Sequence, residues 1–206
     1  MTPRVKICGI TRLEDALAAA RLGADALGFN FWPRSSRFVA PDDARAIVAA
    51  LPPFVTAVGV FVDQPEEELR AVAARTGIQV FQLHGDEPPS LCARLPLPVV
   101  KAIPADRALD RALLSSYPVR AFLLDTPSPD RGGTGRTFDW SLAAGVAEVA
   151  PVILAGGLRP ENVAEAIRAV RPWAVDVASG VESSPGVKDP GRMSLFLHAV
   201  REVRLP

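Results

Sequence analysis

Two side chains that can exchange protons stand at the ends of short apolar runs. Cys8 ends the run VKIC and Asp125 ends the run FLLD. A thiol acts as a base once it is ionised, and a carboxyl group that burial keeps protonated acts as an acid. The pair could therefore carry general acid–base chemistry. The structural alternatives are that Cys8 is a small buried hydrophobic residue and that Asp125 caps a helix or pairs with an arginine.

Other residues could bind an anionic ligand. Arg37 lies in the aromatic segment FWPRSSRF. A guanidinium beside aromatic side chains suits an anionic aromatic molecule, because it binds a carboxylate through two hydrogen bonds. A plain surface arginine is the alternative. His84 in QLHGD and Asp176 in WAVDVAS are further candidates for substrate contact, although a histidine in such a place is more often structural.

Two glycine-bearing segments, LAGGL and ASGVESSPG, could bind phosphate. Glycine lets the backbone approach a ligand closely, and backbone N–H groups then contact the anion. The candidate residues are Gly156, Gly157, Ser179 and Gly180. Tight turns without a ligand are the alternative reading of both segments.

An alternation of apolar runs and helical patterns must position these residues. The strand-like runs cover residues 5–8, 26–31, 56–62, 78–83, 98–103, 119–125, 151–155 and 173–179. Helical patterns cover residues 11–24, 41–51, 65–77, 87–95, 105–116, 138–149, 159–170 and 189–203. Continuously apolar strands separated by helices are typical of a parallel sheet buried on both faces.

The alternation predicts an α/β fold, a single-domain (β/α)8 barrel of the TIM type over residues 1–206. An open, doubly wound sheet is the alternative. In such barrels the site lies at the carboxyl ends of the strands, and phosphate binds after strands 7 and 8. The Gly-rich segment 126–138 is predicted to be a lid over that site.

Thr11 and Glu14 have the spacing of a capping box, and Gly23 and Gly77 are predicted to end helices.

The composition argues against several classes of protein. The net charge is zero, with 23 basic and 23 acidic residues, so nucleic acid is not an expected partner. No apolar run is long enough for a membrane span, and the first residues lack the pattern of a signal peptide. These features predict a cytoplasmic protein. Two cysteines and two histidines show neither a disulfide framework nor zinc-ligand spacing, so no metal is expected.

Several long motifs occur in order between residues 5 and 190: KICGIT, SSR, QLHGDE, DTPSPDRGGTGRTFDW, LAGGL and DVASGVESSPGVKD. Together they resemble the phosphoribosylanthranilate isomerases of tryptophan biosynthesis. The resemblance implies an Amadori rearrangement of N-(5′-phosphoribosyl)anthranilate to 1-(2-carboxyphenylamino)-1-deoxyribulose 5-phosphate, with no cofactor. The expected partner is this small phosphorylated substrate, and the chain is expected to be a monomer or a homodimer.

The resemblance also implies roles for two residues. Asp125 matches the family's general acid, which protonates the furanose ring oxygen. Cys8 matches the general base, which removes the proton from ribose C2. Lys6 lies on the same side of the predicted strand as Cys8, and its charge could favour the thiolate.

Two other functions remain open at this point. A different phosphosugar barrel enzyme would need other groups. An indole-glycerol-phosphate synthase would need a catalytic lysine, for which Lys6 or Lys101 could serve. A ribulose-phosphate epimerase would need more metal ligands than two histidines supply. A non-catalytic barrel that binds a phosphorylated metabolite would keep the glycine segments, but it would have no reason to hold both Cys8 and Asp125.

Overall fold

Eight parallel strands form a closed barrel in chain order, which excludes the open sheet. The computed structural model describes residues 2–105, 110–126 and 140–204. The strands are β1 Arg4–Cys8, β2 Ala26–Asn30, β3 Thr56–Phe61, β4 Val80–Leu83, β5 Val99–Pro104, β6 Ala121–Asp125, β7 Val152–Leu154 and β8 Ala174–Val177. The barrel closes where β1 pairs with β8, with Ile7 opposite Val177.

Helices follow the strands and cover the outside of the barrel. They are α1 Leu13–Leu22, α2 Pro41–Ala49, α3 Glu66–Thr76, α4 Pro89–Arg94, α5 Arg111–Ser115, α6 Ala144–Ala147, α7 Val163–Val170 and α8 Pro190–Arg201. A 3₁₀ turn, Trp140–Ala143, leads into α6. Parts of the helices predicted over 105–116 and 138–149, and all but the first residue of the predicted lid, fall outside the described residues. No described helix combines the length and the apolar character that a membrane span requires.

The strands are apolar throughout because each has two buried faces. In β6, Ala121 and Leu123 pack in a cluster whose members lie in the barrel strands or, for Ala155, directly after one, and this cluster fills the barrel. Phe122 and Leu124 pack instead with residues of α5 and α6 outside the barrel. Asp125 follows the inward-facing set, because side chains alternate along a strand. The carboxyl group therefore points into the mouth of the barrel.

The same alternation directs other polar groups inward. In β1, Val5 and Ile7 belong to the outer apolar cluster, so Lys6 and Cys8 face the interior. In β8, Asp176 stands between two residues of the outer cluster and shares the inward face in the same way. The inward faces of distant strands thus bring together groups that lie far apart in the chain.

The ends of two helices match the prediction, and one start does not. Gly23 and Gly77 follow α1 and α3 with φ values of 90° and 76°, in the left-handed region that glycine adopts readily. The capping box at Thr11 is wrong: the residue before α1 is Arg12, and no side chain caps this helix. The Thr11 hydroxyl donates instead to the carbonyl of Gly186, at 2.5 Å.

Gly186 belongs to a hairpin that was not predicted. After β8, a 3₁₀ turn at Ser179–Val181 leads into β9 Glu182–Ser184, which pairs antiparallel with β10 Val187–Lys188. This hairpin is held against Thr11 and α1, and one of its side chains, Glu182, pairs with Arg37 at the site.

Candidate active site

The predicted residues meet in one pocket at the carboxyl ends of the strands. The pocket is lined by Cys8, Arg37, His84, Asp125, Gly156, Gly157, Asp176 and Ser179, among others. Gly180 is the one predicted residue that is not part of this lining. A Cβ atom at Gly180 would stand 2.0 Å from the carbonyl oxygen of Leu158, so this glycine allows the loops after β7 and β8 to pack together.

Cys8 and Lys6 lie side by side over Gly28 of β2. A Cβ atom at Gly28 would stand 2.7 Å from the Cys8 sulfur and 3.1 Å from Lys6 Cε, so the glycine makes room for both. Burial raises the pKa of the Cys8 thiol above its ordinary value, while the charges of Lys6 and Lys188 act in the opposite direction. The thiol therefore stays mostly protonated at neutral pH, and the two lysines limit the cost of ionising it.

Lys6 forms a buried ion pair with Asp176, with 2.9 Å between Nζ and Oδ1. Burial lowers the pKa of Lys6, but Asp176 and the Cys8 thiolate raise it more, and the net change is upward. Lys6 is therefore charged at neutral pH, with its ammonium group held between the Asp176 carboxylate and the thiol.

Asp125 is held by two hydrogen-bonding groups. Its Oδ1 accepts the backbone N–H of Thr126 at 2.7 Å, and its Oδ2 lies 3.3 Å from His84 Nε2. On the other side of the ring, the amide nitrogen of Gln82 lies 3.2 Å from His84 Nδ1. Because an amide nitrogen only donates, Nδ1 of the neutral ring accepts and the ring proton sits on Nε2, directed at Asp125. A chain from Gln82 through His84 thus reaches the carboxyl group.

Arg37 is bound by a residue of the hairpin. Its Nε and Nη2 donate to the two carboxylate oxygens of Glu182, at 2.9 and 2.8 Å. Lys188 Nζ donates to the same carboxylate at 2.8 Å. The sequence analysis assigned no role to Glu182 or to Lys188. The Pro-Gly turn between two short polar runs in ESSPGVK is a hairpin signal that could have identified the segment.

The loop after β7 is one of the two predicted phosphate-binding loops. Gly156 and Gly157 have φ values of 79° and 63°, which other residues rarely adopt. Asn162, which the sequence analysis did not single out, fixes the loop. Its Oδ1 accepts the backbone N–H of Arg159 at 2.8 Å, and its Nδ2 donates to the carbonyl of Gly157 at 3.0 Å.

Lys101 lies below the site and is fully engaged. Its Nζ donates to the carbonyls of Leu83, Gly85 and Ala102 at 3.3, 2.7 and 3.0 Å, and lies 3.1 Å from the Glu87 carboxylate. This buried cluster supports the loop after β4 and leaves Lys101 no role as a catalytic lysine. In the described part of the chain, no three His, Cys, Asp or Glu side chains are grouped so that they could hold a metal ion.

Comparisons with known proteins agree with this geometry. Residues 5–199 match the family described as N-(5′phosphoribosyl)anthranilate (PRA) isomerase. A relative of that name from Geobacter metallireducens is 51% identical, over 96% of this chain and 98% of its own.

Solved structures of the same enzyme share the fold. The structure from Thermus thermophilus has a TM-score of 0.91 and 46% identity, over 98% of this chain and 100% of its own. A complex with reduced 1-(o-carboxyphenylamino)-1-deoxyribulose 5-phosphate has a TM-score of 0.85 and 42% identity, over 97% and 98%. Monomers generated from the dimeric enzyme of Thermotoga maritima have a TM-score of 0.86 and 43% identity, also over 97% and 98%. This chain therefore belongs to the N-(5′-phosphoribosyl)anthranilate isomerase family and is an isomerase of tryptophan biosynthesis.

Proposed function

We propose that Cys8 and Asp125 are the base and the acid of this isomerisation. The observation that carries the proposal is their placement: the two groups end β1 and β6, face inward and line the same pocket. The reaction needs one group that gives a proton to the sugar ring oxygen and one that takes a proton from C2, the carbon next to C1. Two proton-transfer groups in one pocket meet this requirement.

The first step opens the ribose ring. Asp125 gives its proton to the ring oxygen, the bond from that oxygen to C1 breaks, and the nitrogen lone pair forms a C1=N bond. The product is an iminium ion, and Asp125 is left as a carboxylate. The N–H groups of Thr126 and His84 that point at Asp125 stabilise this charge as it forms.

The second step moves the double bond. The Cys8 thiolate takes the proton from C2. The electrons of the C–H bond form the C1=C2 bond, and the π electrons of the C1=N bond return to the nitrogen as its lone pair. Ketonisation then adds a proton at C1 and removes one from the C2 hydroxyl, so no net proton is gained or lost. The positive iminium makes the C2 proton acidic, so the small ionised fraction of Cys8, whose pKa burial raises, is enough to supply the base.

The remaining predicted residues hold the substrate in this proposal. Arg37 binds the carboxylate of the anthranilate ring, and the phosphate lies on the loops of Gly156, Gly157, Ser179 and Gly180. His84 and Asp176 line the pocket beside the ribose. His84 is paired with Asp125, and Asp176 is paired with Lys6. Each side chain would therefore contact the substrate while it keeps this existing partner.

Substrate carrying deuterium at ribose C2 tests the two roles separately. We expect slower turnover of the labelled substrate by the wild type, because the base breaks the labelled bond. In Cys8→Ser this step becomes more limiting, so the isotope effect should grow. In Asp125→Asn ring opening becomes limiting, so the isotope effect should disappear. The assays follow the loss of substrate fluorescence with a metal chelator present, which should leave turnover unchanged.

The opposite pattern would reject the assignment. An isotope effect that grows in Asp125→Asn and vanishes in Cys8→Ser would exchange the two roles. Equal effects in the wild type and both variants would remove the two residues from the chemistry. Neither result would depend on how tightly the variants bind substrate, because the comparison is made at saturation.

We further propose that the chain forms a homodimer through the amino end of its barrel. Phe54, between α2 and β3, has 94% of its surface exposed, and Trp173 lies half-exposed in a groove at the same end. We infer a contact surface from these two large apolar side chains because both are exposed at the same end of the barrel. Light scattering of the wild type should give twice the chain mass, and Phe54→Glu should lower it. Leu195→Glu on α8 is the control, and a monomeric wild type would contradict the proposal.

Two sequence-based expectations remain predictions. These are the single domain over residues 1–206 and the cytoplasmic location.

A further inference from the structure

Arg37 is held in one orientation by a carboxylate that belongs to a different part of the chain. Glu182 accepts from Nε and Nη2, which form one edge of the planar guanidinium. A guanidinium carries five N–H donors in a fixed plane, and Glu182 uses two of them. The remaining edge, formed by Nη1 and Nη2, has the geometry that binds a second carboxylate through two hydrogen bonds.

The stem of Arg37 is fixed as well. A Cβ atom at Gly9 would stand 2.5 Å from Arg37 Cδ, so the stem lies directly on the residue that follows Cys8. Gly9 has a φ of 78°, which suits glycine and keeps the backbone clear of the stem. The arginine is therefore held at both ends, next to the proposed base.

Glu182 is itself held by a buried cation. Lys188 has no exposed side-chain surface, and its Nζ donates to Glu182 at 2.8 Å and to the carbonyl of Ala178 at 3.2 Å. Burial alone would raise the pKa of Glu182, but Arg37 and Lys188 hold it below its ordinary value. Glu182 is therefore ionised at neutral pH, and its position is set from the hairpin side.

We propose that Glu182 is a positioning residue that orients Arg37 so that the site selects substrates with a carboxylate on the aromatic ring. The inference rests on the proposed role of Arg37 as the ligand of that carboxylate. Without Glu182 the guanidinium keeps its charge but can rotate, and its outer edge no longer faces one direction. A misplacement of about 1 Å can cost an enzyme about a hundredfold in rate, which shows how sharply a bound group depends on orientation.

The sign of the expected effect separates positioning from simple charge. Neutralising Glu182 removes a negative charge from the pocket, which by Coulomb's law alone would favour an anionic ligand. Weaker carboxylate binding in Glu182→Gln would therefore report the loss of orientation. A purely structural role would weaken all ligands alike.

The experiment measures the affinity of two probes by calorimetry. One is the reduced product analogue, and the other is the same molecule without the ring carboxylate. We expect Arg37→Ala to reduce the preference for the carboxylate probe by about tenfold or more, in line with hydrogen bonds to charged groups. Glu182→Gln should lose most of this preference, and kcat should change less than KM. The double variant should lose no more than Arg37→Ala alone, because the two residues act as one unit.

Asp15→Asn is the matched control. Asp15 is buried in α1, and its Oδ2 accepts the backbone N–H of Lys188 at 3.0 Å. It supports the same hairpin through the backbone of β10, and its side chain pairs with Arg12 rather than with Arg37. Its replacement should leave the preference between the probes unchanged. An equal loss of preference in Asp15→Asn would assign the effect to the hairpin as a whole and overturn the proposal.

Other outcomes also decide the matter. If Arg37→Ala keeps the preference, the proposed role of Arg37 fails and this inference fails with it. If Arg37→Ala loses the preference and Glu182→Gln keeps it, only the inference is wrong. Should Glu182→Gln not fold, Glu182→Asp retains the charge but draws the carboxylate back by one methylene. A partial loss of preference would then support the proposal, and an unchanged preference would overturn it.

Discussion

The two sides of the pocket are built from different interactions. On the base side, Cys8 lies beside the buried ion pair of Lys6 and Asp176. On the acid side, the groups that contact Asp125 within the described residues are a backbone N–H and the ring of His84. Among the described residues, the base side thus holds fixed charges, whereas the acid side holds a backbone N–H and an imidazole ring.

The difference follows from what each group must do. A buried thiol ionises with difficulty, and nearby cations lower the free energy of its thiolate. A carboxyl group that must give up a proton needs the reverse. A lysine or arginine beside Asp125 would stabilise the carboxylate before the reaction begins, whereas neutral donors strengthen their hydrogen bonds as the charge develops.

Cys8→Ser should have the largest effect on turnover, because it removes the thiol whose ionised form the charges of the base side stabilise. The serine hydroxyl has a far higher pKa than a thiol, so the same lysines cannot ionise it. We expect kcat to fall toward the upper end of the range of about 10²–10⁴ that acid–base catalysis supplies, with little change in KM. Steady-state kinetics measure this, and near-normal turnover would contradict the role.

Asp125→Asn should have the second-largest effect on turnover and should leave the thermal stability of the fold unchanged. The amide keeps the shape of the side chain and one acceptor, but it has no proton of suitable acidity to give. A loss in kcat of about 10²–10³ is expected, with an almost unchanged melting temperature. Turnover and thermal melting are measured on the same sample. A variant that is active but unstable would show that Asp125 supports the fold rather than the chemistry.

Lys6→Met should weaken the base side without removing the base. Since the charge of Lys6 lowers the pKa of Cys8, its loss should raise that pKa further. The rate of Cys8 alkylation by iodoacetamide at pH 8 should fall about tenfold for each unit of increase. Peptide mass spectrometry separates Cys8 from Cys92. Lys101→Met removes another buried lysine and should leave the Cys8 profile unchanged; a matching shift in both variants would rule out a specific effect.

The smallest effect expected is a change in stability with pH. The pKa of Glu182 is lowered in the folded protein, so its ionised form stabilises the fold above the unfolded pKa of about 4.3. This contribution is lost as the pH falls through the folded pKa. The wild type should therefore melt higher than Glu182→Gln at neutral pH, and this difference should narrow below pH 4. We expect it to narrow by about 2–4 °C for each kcal/mol of unfolding free energy that the wild type loses. A constant difference would mean that ionisation of Glu182 does not stabilise the fold.

The barrel was predictable because its strands and helices follow from local patterns. A run such as FLLD shows a strand with two buried faces, but the direction of Asp125 needed the structure, because both faces of this run are apolar. The sequence also predicted that Lys6 and Cys8 share one side of β1. The closed barrel and the burial of the flanking residues confirm these expectations.

The pairs across the chain were not predictable from local patterns. Lys6 and Asp176 are 170 residues apart, and Arg37 and Glu182 are 145 apart. Nothing near either residue indicates its partner. The failed capping box has the same origin, since the Thr11 hydroxyl binds a carbonyl 175 residues later in the chain.

Because the barrel closes where β1 pairs with β8, the site forms only after the C-terminal part of the chain has been made. During synthesis, Cys8 emerges from the ribosome long before Asp176, Glu182 and Lys188 do. Until then the thiol is exposed in an unfinished chain, with a pKa near that of free cysteine. Closure of β8 against β1 completes the pocket, in which burial raises the pKa of the thiol. Because the thiolate is the form that is oxidised, the nascent chain is more open to oxidation than the finished enzyme.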